Sequence, residues 1–300
     1  MIRVAACQYK IELFEQWDDY AEHLTALCED AAAEGAQLLL LPEYAGLVLS
    51  GQLGRDREDL AATLCGIQPL VPRWHALCAE LARSLGVYLQ PGSLPVRDAD
   101  GAYRNRAWLF GPQGELGHQD KLMMTRFERE EWSVVKGSGL EVFDTPLGRL
   151  GIQICYDNEF PIASRRLAEA GVELVLAPSC TDTEAGFYRV RTGARARALE
   201  NQFAVLMAPT VGEAPWSPAL DVNLGRAGLY VPSDRGMPAS GIVAESATLS
   251  PPRSQWLIED LDRDAGRRVR DQGQVFTRRD WVEQFEPGQL TLRSAKAAPH

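Results

Sequence analysis

Short runs of consecutive apolar residues alternate along this chain with longer stretches in which apolar residues recur at helical spacing. Residues 2–7 read as a first strand, and 17–33 as a helix that stops at Gly35. Leu38, Leu39, Leu40 and Leu41 form an all-apolar run of the kind found in strands buried on both faces. Pro42 ends it and leaves Glu43 at its carboxyl end. A helix is predicted over 72–84, stopping before Gly86, and a strand over 87–90. Residues 104–110 and 116–121 flank Gly111-Pro112-Gln113-Gly114 and read as a β-hairpin, with Lys121 at its far end. A further apolar strand covers 150–154, with Cys155 at its end, and Pro161 suits the first turn of the next helix. Residues 173–177 repeat the buried-strand pattern, and a helix over 187–201 leads into a strand over 203–208. Weaker strands follow near 227–231, 241–244 and 255–258.

Strand and helix alternate nearly throughout, so the chain reads as an α/β protein. Neither linker, repeat nor low-complexity stretch divides it, so residues 1–292 are expected to form one domain and 293–300 a disordered tail. Composition narrows the partners. A formal charge of −10 disfavours nucleic acid and anionic membranes, leaving small molecules. No apolar run approaches the roughly 18 residues that a membrane span needs. The N-terminus reads as a strand and not as a leader, which points to the cytoplasm. Six cysteines are scattered without a Cys-x-x-Cys pair, and four histidines make no metal-ligand pattern, so neither metal nor cofactor is expected.

Chemistry enters with three polar residues placed at strand ends. In α/β sheets ligands gather outside the carboxyl ends of strands, where Glu43, Lys121 and Cys155 are expected. A cysteine there, turning through Tyr156-Asp157-Asn158 toward a helix at Pro161, exposes its sulfur and points backbone N–H groups at a reacting atom. A carboxylate that takes the thiol proton and a cation that holds an oxyanion would complete covalent catalysis. Each residue also has an ordinary explanation: a small core thiol, a solvated carboxylate, a solvated hairpin-end lysine.

The local motifs change the balance. Leu41-Pro42-Glu43-Tyr44, Asp120-Lys121-Leu122 and Gly151-Ile152-Gln153-Ile154-Cys155-Tyr156-Asp157-Asn158-Glu159-Phe160-Pro161 follow one another in that order. They resemble the three signature segments of the nitrilase, or carbon–nitrogen hydrolase, superfamily, and their separations are similar to that family's. Val4-Ala5-Ala6-Cys7-Gln8, Ala177-Pro178-Ser179 and Arg195 to Asn201 extend the resemblance over most of the chain. It implies a four-layer α-β-β-α sandwich, usually dimerising through the helices of one face. Cys155 is then the nucleophile, Glu43 the proton shuttle, and Lys121 with the Tyr156 N–H the oxyanion site. Thr125-Arg126-Phe127-Glu128-Arg129 resembles the family's run after the lysine and implies that Glu128 joins the cluster. Tyr44, Trp132, Glu159 and Asp182 are expected to contact substrate.

The chain also departs from the family. Many of its amidases carry Arg where this sequence has Glu159, a carboxylate that would repel an acid-terminated substrate or else pair with Arg165 or Arg189. True nitrilases often have Trp after the cysteine, and Tyr156 shifts the expectation from nitrile toward amide. The segment from Asp221 to Pro232 and the neighbourhoods of Tyr44, Trp132 and Asp182 resemble a little-characterised branch sometimes fused to an acetyltransferase. The leading expectation is hydrolysis of a small linear amide through a thioester. Nitrile hydrolysis and acyl transfer from the same thioester stand beside it, and so does a non-catalytic binding protein of the same fold. The four intact residues Glu43, Lys121, Glu128 and Cys155 argue against the last.

Overall fold

The computed structural model describes residues 1–285; the expected tail at 293–300 lies outside them. The strands are β1 (Ile2–Lys10), β2 (Leu38–Leu41), β3 (Tyr88–Pro91), β4 (Ser93–Arg97), β5 (Tyr103–Gly111), β6 (Gly114–Asp120) and β7 (Val142–Thr145), then β8 (Gly148–Ile152), β9 (Leu174–Ser179), β10 (Ala204–Glu213), β11 (Val222–Asn223), β12 (Gly228–Tyr230), β13 (Ile242–Glu245) and β14 (Gln255–Leu261). The helices are α1 (Trp17–Ala33), α2 (Leu60–Gly66), α3 (Val71–Leu85), α4 (Pro161–Glu169), α5 (Glu184–Asn201) and α6 (Arg263–Gln272).

The strands fall into two halves. One runs β4-β5-β3-β2-β1, with β6 on β5 and β14 on β1; the other runs β10-β9-β8-β7, with β12 on β10. They join where the end of β1 pairs with β10, Tyr9 opposite Thr210 and Lys10 opposite Val211. Alternation along the first half decides its packing. Val4, Ala6, Leu38, Leu40, Ala107 and Leu109 pack with the residues of the second half. Ala5, Cys7, Leu39, Leu41, Trp108 and Phe110 face Tyr20, Leu24 and Leu27 of α1 and Trp74, Cys78 and Leu81 of α3. On the far side, Leu167 of α4 and Phe187, Val190, Ala194 and Ala198 of α5 cover the second half. The result is the expected α-β-β-α order. Each leucine of β2 is at most 1% exposed, so truncating one to alanine would cost about 2–5 kcal/mol.

Strand direction places the site. β2 is parallel to β1, β1 to β10, β10 to β9 and β9 to β8. β6 is antiparallel to β5, which is antiparallel to β3, itself parallel to β2. The carboxyl ends of β2, β6, β8 and β9 therefore share one end of the sandwich, and Glu43, Lys121, Cys155 and Cys180 follow those ends.

Some elements were not expected from the pattern. β4 contains Pro95 and follows Gly92, both of which read as breakers; it survives as an edge strand, where a missing N–H is tolerated. α6 buries only Ala265 and Val269, too thin a stripe to register, and starts where Asp262 accepts the Ala265 N–H at 2.9 Å. α5 begins at Glu184 because the Thr183 hydroxyl caps the Gly186 N–H at 3.1 Å. β8 ends at Ile152, so Cys155 opens a 3₁₀ turn beyond the strand.

Candidate active site

Glu43, Lys121 and Glu128 form one buried cluster, each 1% exposed. The Lys121 ammonium donates to Glu43 Oε1 at 2.8 Å and to Glu128 Oε1 and Oε2 at 2.8 and 2.7 Å. Asn105 Nδ2 donates to the same Glu43 oxygen at 2.9 Å, and the Cys180 N–H to Glu43 Oε2 at 3.0 Å. The Tyr44 hydroxyl donates to Glu128 Oε1 at 2.5 Å, while the N–H and hydroxyl of Thr125 reach Oε2 at 2.9 and 3.0 Å. Every carboxylate oxygen thus has a donor, as a buried ion cluster requires. Cys155 stands beside it. Its thiol donates to the Cys180 carbonyl oxygen at 3.4 Å, and the charge of Glu43 acts on it.

The backbone at the site is held in unusual conformations. Cys155 has φ 47 and Tyr44 φ 59, the left-handed region that non-glycine residues rarely adopt. Such positions persist only where surrounding bonds enforce them, and they collect at functional sites. At Cys155 the enforcement is visible: Asn158 Nδ2 donates to the carbonyls of Cys155 at 3.0 Å and Gln153 at 2.9 Å. α5 crosses this turn at Gly193, where an added Cβ would lie 2.5 Å from the Asn158 carbonyl oxygen. Glycine is required there for close approach.

Charge is distributed unevenly. Burial pushes the Cys155 thiol well above its usual range; Glu43 adds to this and Lys121 opposes it. The resting sulfur is therefore held as a neutral thiol. Burial also raises the Glu43 carboxyl, against the pull of Lys121. Burial would raise Glu128 as well, but two bonds from Lys121 together with Tyr44 and Thr125 hold it below the ordinary carboxylate range. Lys121 would be lowered by burial, yet Glu128 and Glu43 lift it well above the usual lysine value. One carboxylate is locked to the cation, and the other faces the thiol as the more basic of the two.

The remaining sequence candidates are placed differently. Tyr156 is half-buried with its ring edge-on to Phe160, the centroids 4.9 Å apart. Tyr44 reaches the cluster directly. Trp132 is 1% exposed, packs its ring at a tilt against Tyr44 and Phe127, and donates its indole N–H to the Leu60 carbonyl at 3.1 Å. It supports Tyr44 from behind. Glu159 pairs with Arg189 at 3.5 Å, whereas Arg165 pairs with Glu169 at 2.9 Å. Asp182 is exposed just before α5 and accepts the Thr183 hydroxyl at 3.3 Å.

Four contributors escaped the sequence reading: Asn105, Asp157, Asn158 and Cys180. Asp157 is 2% exposed and accepts the backbone N–H groups of Met123 at 2.8 Å and Ile154 at 3.0 Å. Burial pushes its carboxyl up to about 7, against the charge of Lys121 and those N–H bonds. It lies inside the Cys155 motif, which was the available signal.

Comparison with known proteins agrees with this architecture. Residues 3–264 match the carbon-nitrogen hydrolase family. A Bacillus subtilis protein named probable hydrolase YhcX is 33% identical over 282 residues, 93% of this chain and 53% of its own length. The chain thus spans about half of that relative. A nitrilase of Pyrococcus abyssi is 31% identical over 216 residues, 71% of this chain and 76% of its own. Among solved structures, a mutant of the amidase from Nesterenkonia sp. AN1, showing the result of Michael addition of acrylamide at its active-site cysteine, superposes with a TM-score of 0.69. The identity there is 23%, with 94% of this chain and 100% of that one covered. Fold, strand-end placement and sequence agree: this chain belongs to the carbon-nitrogen hydrolase family of the nitrilase superfamily.

Proposed function

We propose that the protein hydrolyses the C–N bond of a small linear amide through a thioester on Cys155. The observation that carries this reading is the Lys121 ammonium shared between two buried carboxylates beside the Cys155 thiol, whose titration Glu43 and Lys121 both influence. Glu43, raised by burial, takes the thiol proton as sulfur attacks the amide carbon. Lys121 and the Tyr156 N–H hold the oxygen that becomes negative. Glu43 then passes its proton to the departing nitrogen, an amine or ammonia leaves, and the acyl group stays on sulfur. Water, deprotonated by Glu43, cleaves the thioester and regenerates the thiol. Glu128 remains charged and anchors Lys121 and Tyr44. The amidase neighbour with its modified cysteine supports the nucleophile assignment, and Tyr156 in place of Trp supports amide over nitrile. Tyr44 is the contact for substrate nearest the cluster. The Glu159–Arg189 pair lies farther out and is partly exposed, so its net charge is small and it discriminates weakly among charged substrates.

Glu43→Gln tests the two-step scheme. The amide cannot accept the thiol proton or activate water, yet an activated ester needs no protonation of its leaving group. The variant should release about one equivalent of alcohol per site and then stall, with an acyl adduct on the Cys155 peptide by mass spectrometry. Steady turnover near the wild-type rate would remove Glu43 from the mechanism. A panel of amides and nitriles assayed for ammonia release separates the amidase reading from its nitrilase alternative.

The working unit in this proposal is residues 1–292 as one domain, acting in the cytoplasm as a homodimer. Among the described residues no helix is long and apolar enough to cross a membrane. All six cysteines are free thiols, as suits a reducing compartment. The dimer reading rests on α5. A groove of about 480 Å³ runs along its outer face between Glu159, Tyr188, Arg189 and Arg197. Arg197 is 7% exposed there, and its Nη1 has no acceptor among the described residues. A second subunit would supply one. Sedimentation should give twice the 33.1 kDa chain mass, and Arg197→Glu should shift it to monomer. A wild-type monomer at high micromolar concentration would exclude this interface.

A further inference from the structure

The machinery comes from two sheets. Glu43, Lys121 and Glu128 belong to segments of the first, and Cys155 follows β8 of the second. Each segment has its own local ties. The Lys121 N–H donates to the Asn105 carbonyl at 2.9 Å, and the Gly137 N–H to the Lys121 carbonyl at 2.8 Å. Cys155 is held by Asn158, as described above. Neither set fixes the distance between ammonium and sulfur, because neither crosses from one sheet to the other.

Asp157 crosses. Its Oδ1 accepts the N–H groups of Leu122 at 3.1 Å and Met123 at 2.8 Å, directly after Lys121. Its Oδ2 accepts the N–H of Ile154 at 3.0 Å, directly before Cys155. The carboxylate therefore grips the residue following the cation and the residue preceding the nucleophile in one buried clamp. Bonds from N–H to a buried carboxylate are among the stronger ones, and they are directional. We propose that Asp157 is a positioning residue that sets the Lys121 ammonium against the Cys155 thiol, so that the cation meets the oxyanion as it forms. This rests on the proposed roles of Lys121 and Cys155. Asp157 itself touches neither substrate nor sulfur. Geometry alone makes it matter, since an ångström of displacement at a reacting centre can cost orders of magnitude in rate.

The test is Asp157→Asn, which keeps the shape but offers an NH₂ group where an acceptor is needed. Active sites are counted by the burst with an activated ester, and kcat is expressed per counted site on an amide that the wild type hydrolyses. Per-site kcat should fall about 10- to 100-fold with KM changed less than about threefold, and iodoacetamide alkylation of Cys155 should change in rate. A residue needed only for folding would lower the number of sites and leave per-site kcat alone. Per-site kcat within twofold of wild type overturns the proposal. If the asparagine variant does not fold, Asp157→Ser, with a small hydroxyl acceptor, is measured in the same way. Cys155→Ala run alongside separates the two levels: retained turnover there refutes the catalytic reading itself, whatever Asp157 does.

Discussion

Cys155→Ala should abolish amide turnover, a loss of about 10⁵- to 10⁶-fold, while the folded protein stays intact. The size follows from covalent catalysis. Without sulfur no thioester forms, and what remains is electrostatic assistance from Lys121 to direct attack by water. Stability should change by less than about 1 kcal/mol. The substitution removes one atom, and alanine meets the same strain as cysteine at φ 47. The clamps on the turn are also untouched, because Asn158 bonds the Cys155 carbonyl and not its side chain. Two measurements decide the matter. Thermal unfolding should superpose on wild type, and intact mass after incubation with an activated ester should show no acyl adduct. An adduct of wild-type stoichiometry would move the nucleophile elsewhere. Cys180 is the other thiol at the site, half-buried with its own backbone bonded to both Glu43 and Cys155.

What the sequence disclosed depends on how each residue acts. The leucine run of β2 is buried on both faces, so pattern alone located it and the Glu43 that follows. Glu43, Lys121, Glu128 and Cys155 carry side chains of distinctive chemistry in ordered motifs; the fold joins the first three in one cluster with Cys155 beside it. Cys180 acts at Glu43 through its backbone N–H, which every residue except proline possesses, so nothing in its identity gives it away. Asn105 lies within a hairpin strand, where its amide reads as an ordinary outward polar residue until the fold turns it toward Glu43. Trp132 is a matter of orientation. An aromatic beside the motif was expected to meet substrate, but sequence does not encode which way a ring points, and this one faces the back of Tyr44. Glu159 had two arginines in reach along the chain, and only the packing of α5 against the nucleophile turn selects Arg189.

Lys121→Met should destabilise the protein by about 3–5 kcal/mol and make its stability fall more steeply as pH rises from 5 to 8. Methionine matches the length of the lysine stem but leaves Glu43 and Glu128 buried without a cation. Each carboxyl would then be raised by burial and by the other's charge. A carboxyl raised in the folded state contributes stability below its unfolded value of about 4.3 and loses it as pH climbs through the folded value. The variant should therefore be firmer at pH 5 than at pH 8. In the wild type Glu128 is held below the ordinary range, so its contribution is lost only as pH falls below about 4.3 and gives no slope between 5 and 8. Glu43 and Asp157, both raised by burial, already make the wild type lose some stability as pH rises through that window. Lys121 itself, lifted above the usual lysine value, adds no slope until strongly alkaline pH. Urea unfolding at unit pH steps reads both slopes. Turnover should fall by at least about 10²- to 10³-fold for want of an oxyanion partner. Adding Glu128→Gln to Lys121→Met should restore part of the stability at pH 8, because a neutral amide needs no proton to remain buried. A double variant no more stable than Lys121→Met at that pH would show that Glu128 is not held as an ion by Lys121, and that the cluster owes its cohesion to something other than shared charge.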